Sequence, residues 1–288
     1  MLIAEAHAKL NLCLEITRRR YDGYHELVSV FQAIALADRL TVRADDSLRL
    51  ETTSELMAED NLVLRAARLV EEATEHHRGA RFTLEKKIPI AAGLGGGSAD
   101  GAAALLLLRR LWGEYFPVRN LATQLGSDVP FFLGGPTAFV AGRGELVDPL
   151  PSPPQQHVLL LRPRVRVSTA RVFSELRPEE WSDGDRTRQV ASLLRRRMPI
   201  PEHLLVNSLE ASALRVCPEL HSLWSDLKGM GLQPHLSGSG PTVFMLIRDT
   251  QMEERLRTFA ERADIEIIAT RLWQTSPIQI YEIPLRTR

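Results

Sequence analysis

The chain has 288 residues, with 36 lysines and arginines balanced against 36 aspartates and glutamates and only two cysteines. The length suffices for a full core and favours two domains. The absence of a basic surplus argues against nucleic acid as the main partner, and Cys13 and Cys217, far apart and outside any CxxC pair, argue against a disulfide or zinc scaffold. The opening "MLIAEAHAKLNL" carries Glu5 and Lys9 too early for a secretory leader, and the aliphatic run "AAALLLL" is too short to cross a bilayer, so a soluble, cytoplasmic protein with no membrane partner is expected.

In chain order, residues 1–16 alternate with Leu10, Leu12, Leu14 and Ile16 in period two, which predicts a strand or a strand pair, and "YDGYHEL" reads as the turn that follows. "DNLVLRAARLVEEATE" predicts a helix capped by Asp60 or Asn61. "ARFTLEKKI" is a strand with Phe82 and Leu84 on one face, and "PTAFVAGRGELVDPL" a strand and its return. Prolines cluster in "PLPSPPQQH", residues 149–157, where periodicity stops, so the expected division is 1–150 and 155–288. Beyond it come a strand at "HVLLLRP", helices near "TARVFSEL", "DRTRQVASLLRRR" and "CPELHSLWSDLKGM", and a second glycine turn in "LSGSGPTVFMLI". "RPEEWSDGDRTRQ" matches nothing informative and reads as surface loop. This mixture of helix and strand defines an α/β (α+β) chain.

Between strand and helix lies "IPIAAGLGGGSADGAAALLLL", residues 88–108. Helix N-termini carry unpaired N–H groups and partial positive charge, and glycines let backbone approach an anion closely, so Gly93, Gly95, Gly96 and Gly97 ahead of Ser98 predict a phosphate cradle. A tight strand-to-helix turn is the alternative. The spacing is not that of a dinucleotide fingerprint, no Gly-Lys-Ser/Thr is present, and the protein-kinase HRD and DFG triplets are missing. On the phosphate reading, valine at Gly95 or Gly96 is expected to obstruct the ligand and spare the fold. Lysines are few (Lys9, Lys86, Lys87 and Lys228), so Lys9 on an apolar strand stands out, as does Asp128 in "GSDVPFFLGG". Each has an ordinary explanation, a snorkelling lysine and a turn aspartate. Together they would make an acid–base couple.

Three separated motifs, "AHAKLNLCLEI", "PIAAGLGGGSADGAAALL" and "HLSGSGPTVF", resemble the three signatures of the GHMP small-molecule kinases. "RRRYDGYHEL", "GSDVPFF" and "STARVF" are similar to the branch acting on cytidine-diphosphate methylerythritol in the non-mevalonate isoprenoid route. The resemblance implies a two-domain fold with ATP and Mg²⁺ in the cleft between the domains. Catalysis then falls to Lys9 and Asp128. The adenosine would lie against Asn61, Leu62, Lys87 and Pro89, and the triphosphate over Gly93, Leu94, Gly95, Gly96, Gly97, Ser98 and Ala99. Tyr24 and Phe173 would sandwich cytosine, His25 would read its edge, and Asn11 and Thr169 would touch the sugar or diphosphate. The resemblance identifies no metal ligands and no oligomeric state. Ala99 stands where many relatives carry a second serine, Asp100 either faces away or helps hold Mg²⁺, and the stretch before Asp128 is shorter than the usual two helices.

Overall fold

Two long strands organise the chain. In the computed structural model, which describes residues 1–52, 61–75 and 78–283, β1 (Leu2–Arg19) turns at Arg20–Tyr24 into β2 (His25–Ala44). The turn is set by Gly23 at φ +86° and by the Asp22 carboxylate, which accepts the Tyr24 N–H at 3.1 Å. β3 (Arg49–Thr52), α1 (Leu62–Thr74), β4 (Ala80–Glu85), α2 (Gly96–Trp112) and α3 (Val118–Leu125) follow, then a short 3₁₀ turn at Val129–Leu133 and the hairpin of β5 (Thr137–Gly142) and β6 (Leu146–Pro149). Asn61 caps α1, accepting the Val63 N–H at 2.9 Å, while the alternative cap, Asp60, lies outside the described residues.

Residues 150–156 form neither helix nor strand. After them come β7 (His157–Arg162), α4 (Thr169–Ser174), α5 (Asp185–Arg195), α6 (Glu210–Val216), α7 (Pro218–Gly229), β8 (His235–Leu236), β9 (Val243–Leu246), α8 (Thr250–Arg262), β10 (Glu266–Arg271) and β11 (Ile278–Glu282). The first sheet runs β11-β1-β2-β4-β3, with β5 pairing β2 and β6 pairing β5. The second runs β10-β7-β9-β8. The last strand thus returns to the first sheet, pairing Leu2–Ala6 with Ile278–Glu282. The second sheet is thus built wholly from strands after the proline-rich segment, and β11 alone of those strands lies in the first sheet.

Burial explains the arrangement. α1, α2 and α3 cover one region of the first sheet, with Leu105, Leu108, Phe82 and Phe131 in a shared core. A middle cluster joins Leu10, Leu12 and Ile34 to Leu160 and Phe244, and a third packs Leu14 and Ile16 against Leu161, Leu220 and Leu236. β1 contributes to all three. Its pairing with β2 slips at His7/Lys9, Asn11/Cys13 and Ile16/Arg18, and such bulges re-aim side chains. Nearly the whole strand is buried, on both faces, so the leucine alternation visible in the sequence is only half of its pattern.

Candidate active site

One cleft of about 1140 Å³ lies where these elements meet, lined by β1, the β1–β2 turn, the residues before α2, the Asp128 turn and α4. The mid-strand position of Lys9 puts its ammonium at the base of the cleft, 4 % exposed and 3.5 Å from Asp128 Oδ2. Lys9 Nζ also donates to Asn11 Oδ1 at 2.6 Å and lies 4.5 Å from the centroid of the Phe31 ring. Burial lowers the Lys9 pKa, and the Asp128 carboxylate beside it opposes that shift. Asp128 is 33 % exposed and faces the open cleft, free to meet a ligand. Asn11 is engaged at both ends, since its amide nitrogen donates to Ser29 Oγ at 3.1 Å. It lines the cleft beside Lys9, whose ammonium it holds.

The glycine motif wraps over this base. Lys9 N–H donates to Leu94 O at 2.9 Å, and Ser237 Oγ, from the third motif, donates to Gly93 O at 3.0 Å, so all three motifs meet at one point. α2 starts at Gly96, and Ala99 N–H makes a helical bond to Gly95 O at 2.9 Å. That leaves the N–H groups of Gly96, Gly97 and Ser98 ahead of the helical ladder, at its positive end. Most of the glycines, however, are required by the protein itself. A Cβ at Gly93 would stand 2.1 Å from Ser237 O, at Gly95 3.0 Å from both Lys9 Cγ and Phe132 Cζ, and at Gly96 2.8 Å from Ile88 Cγ2. Only at Gly97 is there room, with Leu62 Cδ1 at 3.7 Å. Valine at 95 or 96 is therefore not neutral to the fold, and Gly97 is the position that tests the ligand.

Of the residues expected around ATP, Asn61, Leu62, Pro89, Gly93 to Gly97 and Ser98 line the cleft. Two do not. Ala99 is fully buried against the α-helical core, and Lys87 points its side chain to solvent while its backbone N–H donates to Asp38 Oδ1 at 2.6 Å. The neighbouring Lys86 enters the cleft instead, with Nζ 2.5 Å from Asp38 Oδ2 and 2.7 Å from Asp100 Oδ2. Asp38 further accepts the Ile88 N–H at 2.9 Å, tying β2 to the start of the glycine segment. Burial pushes the Asp100 carboxyl up to about 8, against the pull of Lys86. Burial works against charge on Lys86 too, but Asp100 and Asp38 hold its pKa above the ordinary value. Asp100 is thus committed to Lys86, facing inward.

At the other end, Tyr24, His25, Thr169 and Phe173 line the same cleft. The His25 and Phe173 rings are 5.3 Å apart, and Trp181 meets His25 edge-on at 6.4 Å. Burial, and then Arg19, lower the His25 pKa, favouring the neutral ring with one donor and one acceptor. Thr169 Oγ1 lies 2.9 Å from Ser239 Oγ.

Comparison with known proteins follows the same lines. The GHMP kinases N terminal domain family matches residues 61–136. The 4-diphosphocytidyl-2-C-methyl-D-erythritol kinase of Shouchella clausii (strain KSM-K16) is 37% identical over 280 residues, covering 94% of each chain. That of Pelotomaculum thermopropionicum is 39% identical over 280 residues, covering 94% of this chain and 98% of the relative. The chain belongs to the 4-diphosphocytidyl-2-C-methyl-D-erythritol kinases. A crystal structure of a 4-(cytidine 5'-diphospho)-2C-methyl-D-erythritol kinase superposes with TM-score 0.77 at 37% identity, covering 94% of this chain and 98% of that one. Homoserine kinase from Cytophaga hutchinsonii shares the fold, with TM-score 0.72 at 18% identity over 97% of each chain.

This small-molecule kinase carries site residues that the sequence reading passed over. Lys86 and Asp38 are brought together across 48 positions by the pairing of β2 with β4, and Asp100, whose direction the motif leaves open, reaches Lys86 from α2. Trp181 enters from the segment read as loop. Arg143 enters from the β5–β6 turn and lies over the Tyr24 ring, 4.8 Å from its centroid. Scarcity of lysine was the one signal for Lys86. Nothing in the local sequence marks Trp181 or Arg143.

Proposed function

We propose that the enzyme transfers the γ-phosphoryl group of ATP to the 2-hydroxyl of 4-diphosphocytidyl-2-C-methyl-D-erythritol, in the cytoplasmic, non-mevalonate route to isoprenoid precursors. The observation that carries the reading is the Lys9–Asp128 pair, 3.5 Å apart, set between the glycine-rich helix start and the aromatic end of one cleft. The substrate hydroxyl oxygen attacks the γ-phosphorus while the bond to the departing ADP oxygen breaks. Asp128 takes the hydroxyl proton and passes it to solvent. Lys9, 3.5 Å from the Asp128 carboxylate, offsets the negative charge that gathers on the alkoxide and the moving phosphoryl group. Asn11 fixes the Lys9 ammonium, and the first-turn N–H groups of α2 orient the phosphates.

Mg²⁺ fits this site as a cation carried by the nucleotide. Among the described residues no group of three or more His, Cys, Asp or Glu is arranged to hold a metal, and Mg²⁺ on phosphates needs only one or two protein ligands. The Ser98 hydroxyl, on the first turn of α2 and facing the cleft, would hold it there. When bound, Mg²⁺ supplies charge neutralisation on the phosphate oxygens.

Specificity rests on the aromatic end. Stacking on Tyr24 and Phe173 supplies roughly 1–3 kcal/mol per base with little discrimination, so the neutral His25 ring does the selecting by hydrogen bonds. Coupled ADP release tests the assignment: turnover with the cytidine-diphosphate substrate and none with homoserine or mevalonate is expected. Turnover with either of the latter and not the former overturns it.

A further inference from the structure

The turn of the third motif reaches the cleft with Gly238 and Ser239, and its hold on the molecule comes from behind. Asn207, outside the cleft, donates its side-chain amide protons to that turn, to Leu236 O at 2.9 Å and to Gly238 O at 2.8 Å. They are the carbonyls of the residues on either side of Ser237. Asn207 Oδ1 accepts the Leu209 N–H at 2.9 Å, in the Asx turn that leads into α6. Three partners thus fix which end of the amide is which, because the reversed amide would set its oxygen against two carbonyls.

Asn207 is in turn fixed to β1. The Leu14 N–H donates to Val206 O and the Ser208 N–H to Leu14 O, both at 2.8 Å, and Ser208 Oγ accepts the Ile16 N–H at 3.1 Å. From that anchor the path to the glycine segment is short. Ser237 Oγ donates to Gly93 O at 3.0 Å. Gly238, at φ +57°, is wedged between Gly93 and Asn11, since a Cβ there would stand 3.3 Å from Gly93 O and 3.4 Å from Asn11 Oδ1. Gly93 leads into Leu94, whose carbonyl takes the Lys9 N–H, and on into the first turn of α2. One side chain from outside the cleft therefore holds the turn that packs on both the glycine segment and the residue beside Lys9.

We infer that Asn207 is a positioning residue for phosphoryl transfer, holding the third-motif turn against Gly93 and so setting the glycine segment for the phosphates of ATP. The inference rests on the reading of the α2 start as the phosphate cradle. It differs from a role in the Asx turn alone, for which aspartate serves as well as asparagine. Aspartate keeps the acceptor for Leu209 and loses both donors to the third-motif turn.

The test measures ADP affinity by isothermal titration calorimetry, with the melting temperature alongside, in wild type, Asn207→Asp, Asn207→Ala, Ser237→Ala and the Asn207→Asp/Ser237→Ala pair. Asn207→Asp and Asn207→Ala are both expected to weaken ADP about tenfold, the scale of two neutral hydrogen bonds lost from a partly buried turn. Ser237→Ala should weaken it in the same direction, and the pair should be scarcely worse than Asn207→Asp alone, because both act through the bond to Gly93. Full affinity in Asn207→Asp with a loss in Asn207→Ala assigns the residue to the Asx turn and overturns the inference. Unchanged affinity in both overturns it as well, and so do losses that multiply in the pair. Aggregation of both Asn207 variants makes the residue one of folding and overturns it too. Gly97→Val, which acts on the cradle directly, is read first: wild-type ADP affinity there removes the cradle reading, and this inference with it, before Asn207 is substituted.

Discussion

Asp128→Asn removes basicity and charge with almost no change of shape, and the structure sets what should follow. At 3.5 Å from Lys9, the lost attraction is about 1 kcal/mol at the dielectric of water and about 5 kcal/mol at an effective value of ~20. With a third of the Asp128 side chain exposed, the value belongs between those limits. Losing the proton acceptor lowers turnover by about 10²–10⁴, which corresponds to about 3–5 kcal/mol in the barrier. Rapid-quench single turnovers, with enzyme in excess over ATP, isolate the chemical step, and steady-state KM values for both substrates should stay within a few-fold of wild type. The alkaline limb of the rate gives a second reading. It reports loss of the Lys9 proton and should lie below the ordinary lysine range because burial lowers that pKa. In Asp128→Asn it should move lower still, the carboxylate that opposes the shift being gone. Lys9→Met should be about as damaging as Asp128→Asn, and the double variant scarcely worse than either, because both act on one proton transfer. A single-turnover rate for Asp128→Asn within a few-fold of wild type would refute the general-base role.

The glycine loop separates packing from ligand binding. Gly97→Val, with open space around a new Cβ, should raise KM for ATP at near-normal melting temperature, whereas Gly95→Val, at φ +69° and against Lys9 and Phe132, should melt markedly earlier. An unaltered melting temperature for Gly95→Val contradicts the packing account. Tyr24→Ala and Phe173→Ala should each raise KM for the cytidine substrate roughly 5- to 150-fold, from ~1–3 kcal/mol of stacking, leaving KM for ATP alone; a loss confined to ATP reverses the two ends of the cleft. Lys86→Met strips the ammonium from two buried carboxylates and should cost about 3–5 kcal/mol, measured by denaturant unfolding. Asp100 makes a signed contribution to pH dependence. Its folded pKa, about 8, exceeds the ordinary 3.8, so its stabilising contribution is full below about pH 3.8 and declines as pH rises through 8. Asp100→Asn should flatten unfolding free energy over that window, and an unchanged slope removes Asp100 as its source.

Much of the site could be read from the chain because its parts are short and chemically distinctive. Glycines ahead of an alanine-rich helix, a lone lysine in a strand and an aspartate before Val-Pro-Phe-Phe each carry their own physical reason. The cap at Asn61 and the strand faces of Phe82 and Leu84 were legible for the same cause, being local. What failed was non-local. Asp38 meets Lys86 only through the pairing of β2 with β4, and the C-terminal strand joins β1 by a return that no periodicity announces. Valine at Gly95 or Gly96 reads from sequence as harmless to the fold because sequence cannot display Lys9 and Phe132 against Gly95 or Ile88 against Gly96. The bonds of Asn11 to Lys9 and Ser29 likewise emerge only when β1 lies beside β2.

The return of β11 to β1 has a consequence for dissecting the molecule. β1 is flanked by β2 on one side and by β11 on the other, and it also threads the core beneath the second sheet. A fragment ending in the proline-rich segment would expose Leu2–Ala6 as a bare, apolar sheet edge, a template for pairing with other copies. It would also strip Leu10 and Leu12 of their cover from Leu160 and Phe244. Such a half should precipitate when expressed alone, and adding the missing half in trans should restore solubility only if it carries Ile278–Glu282.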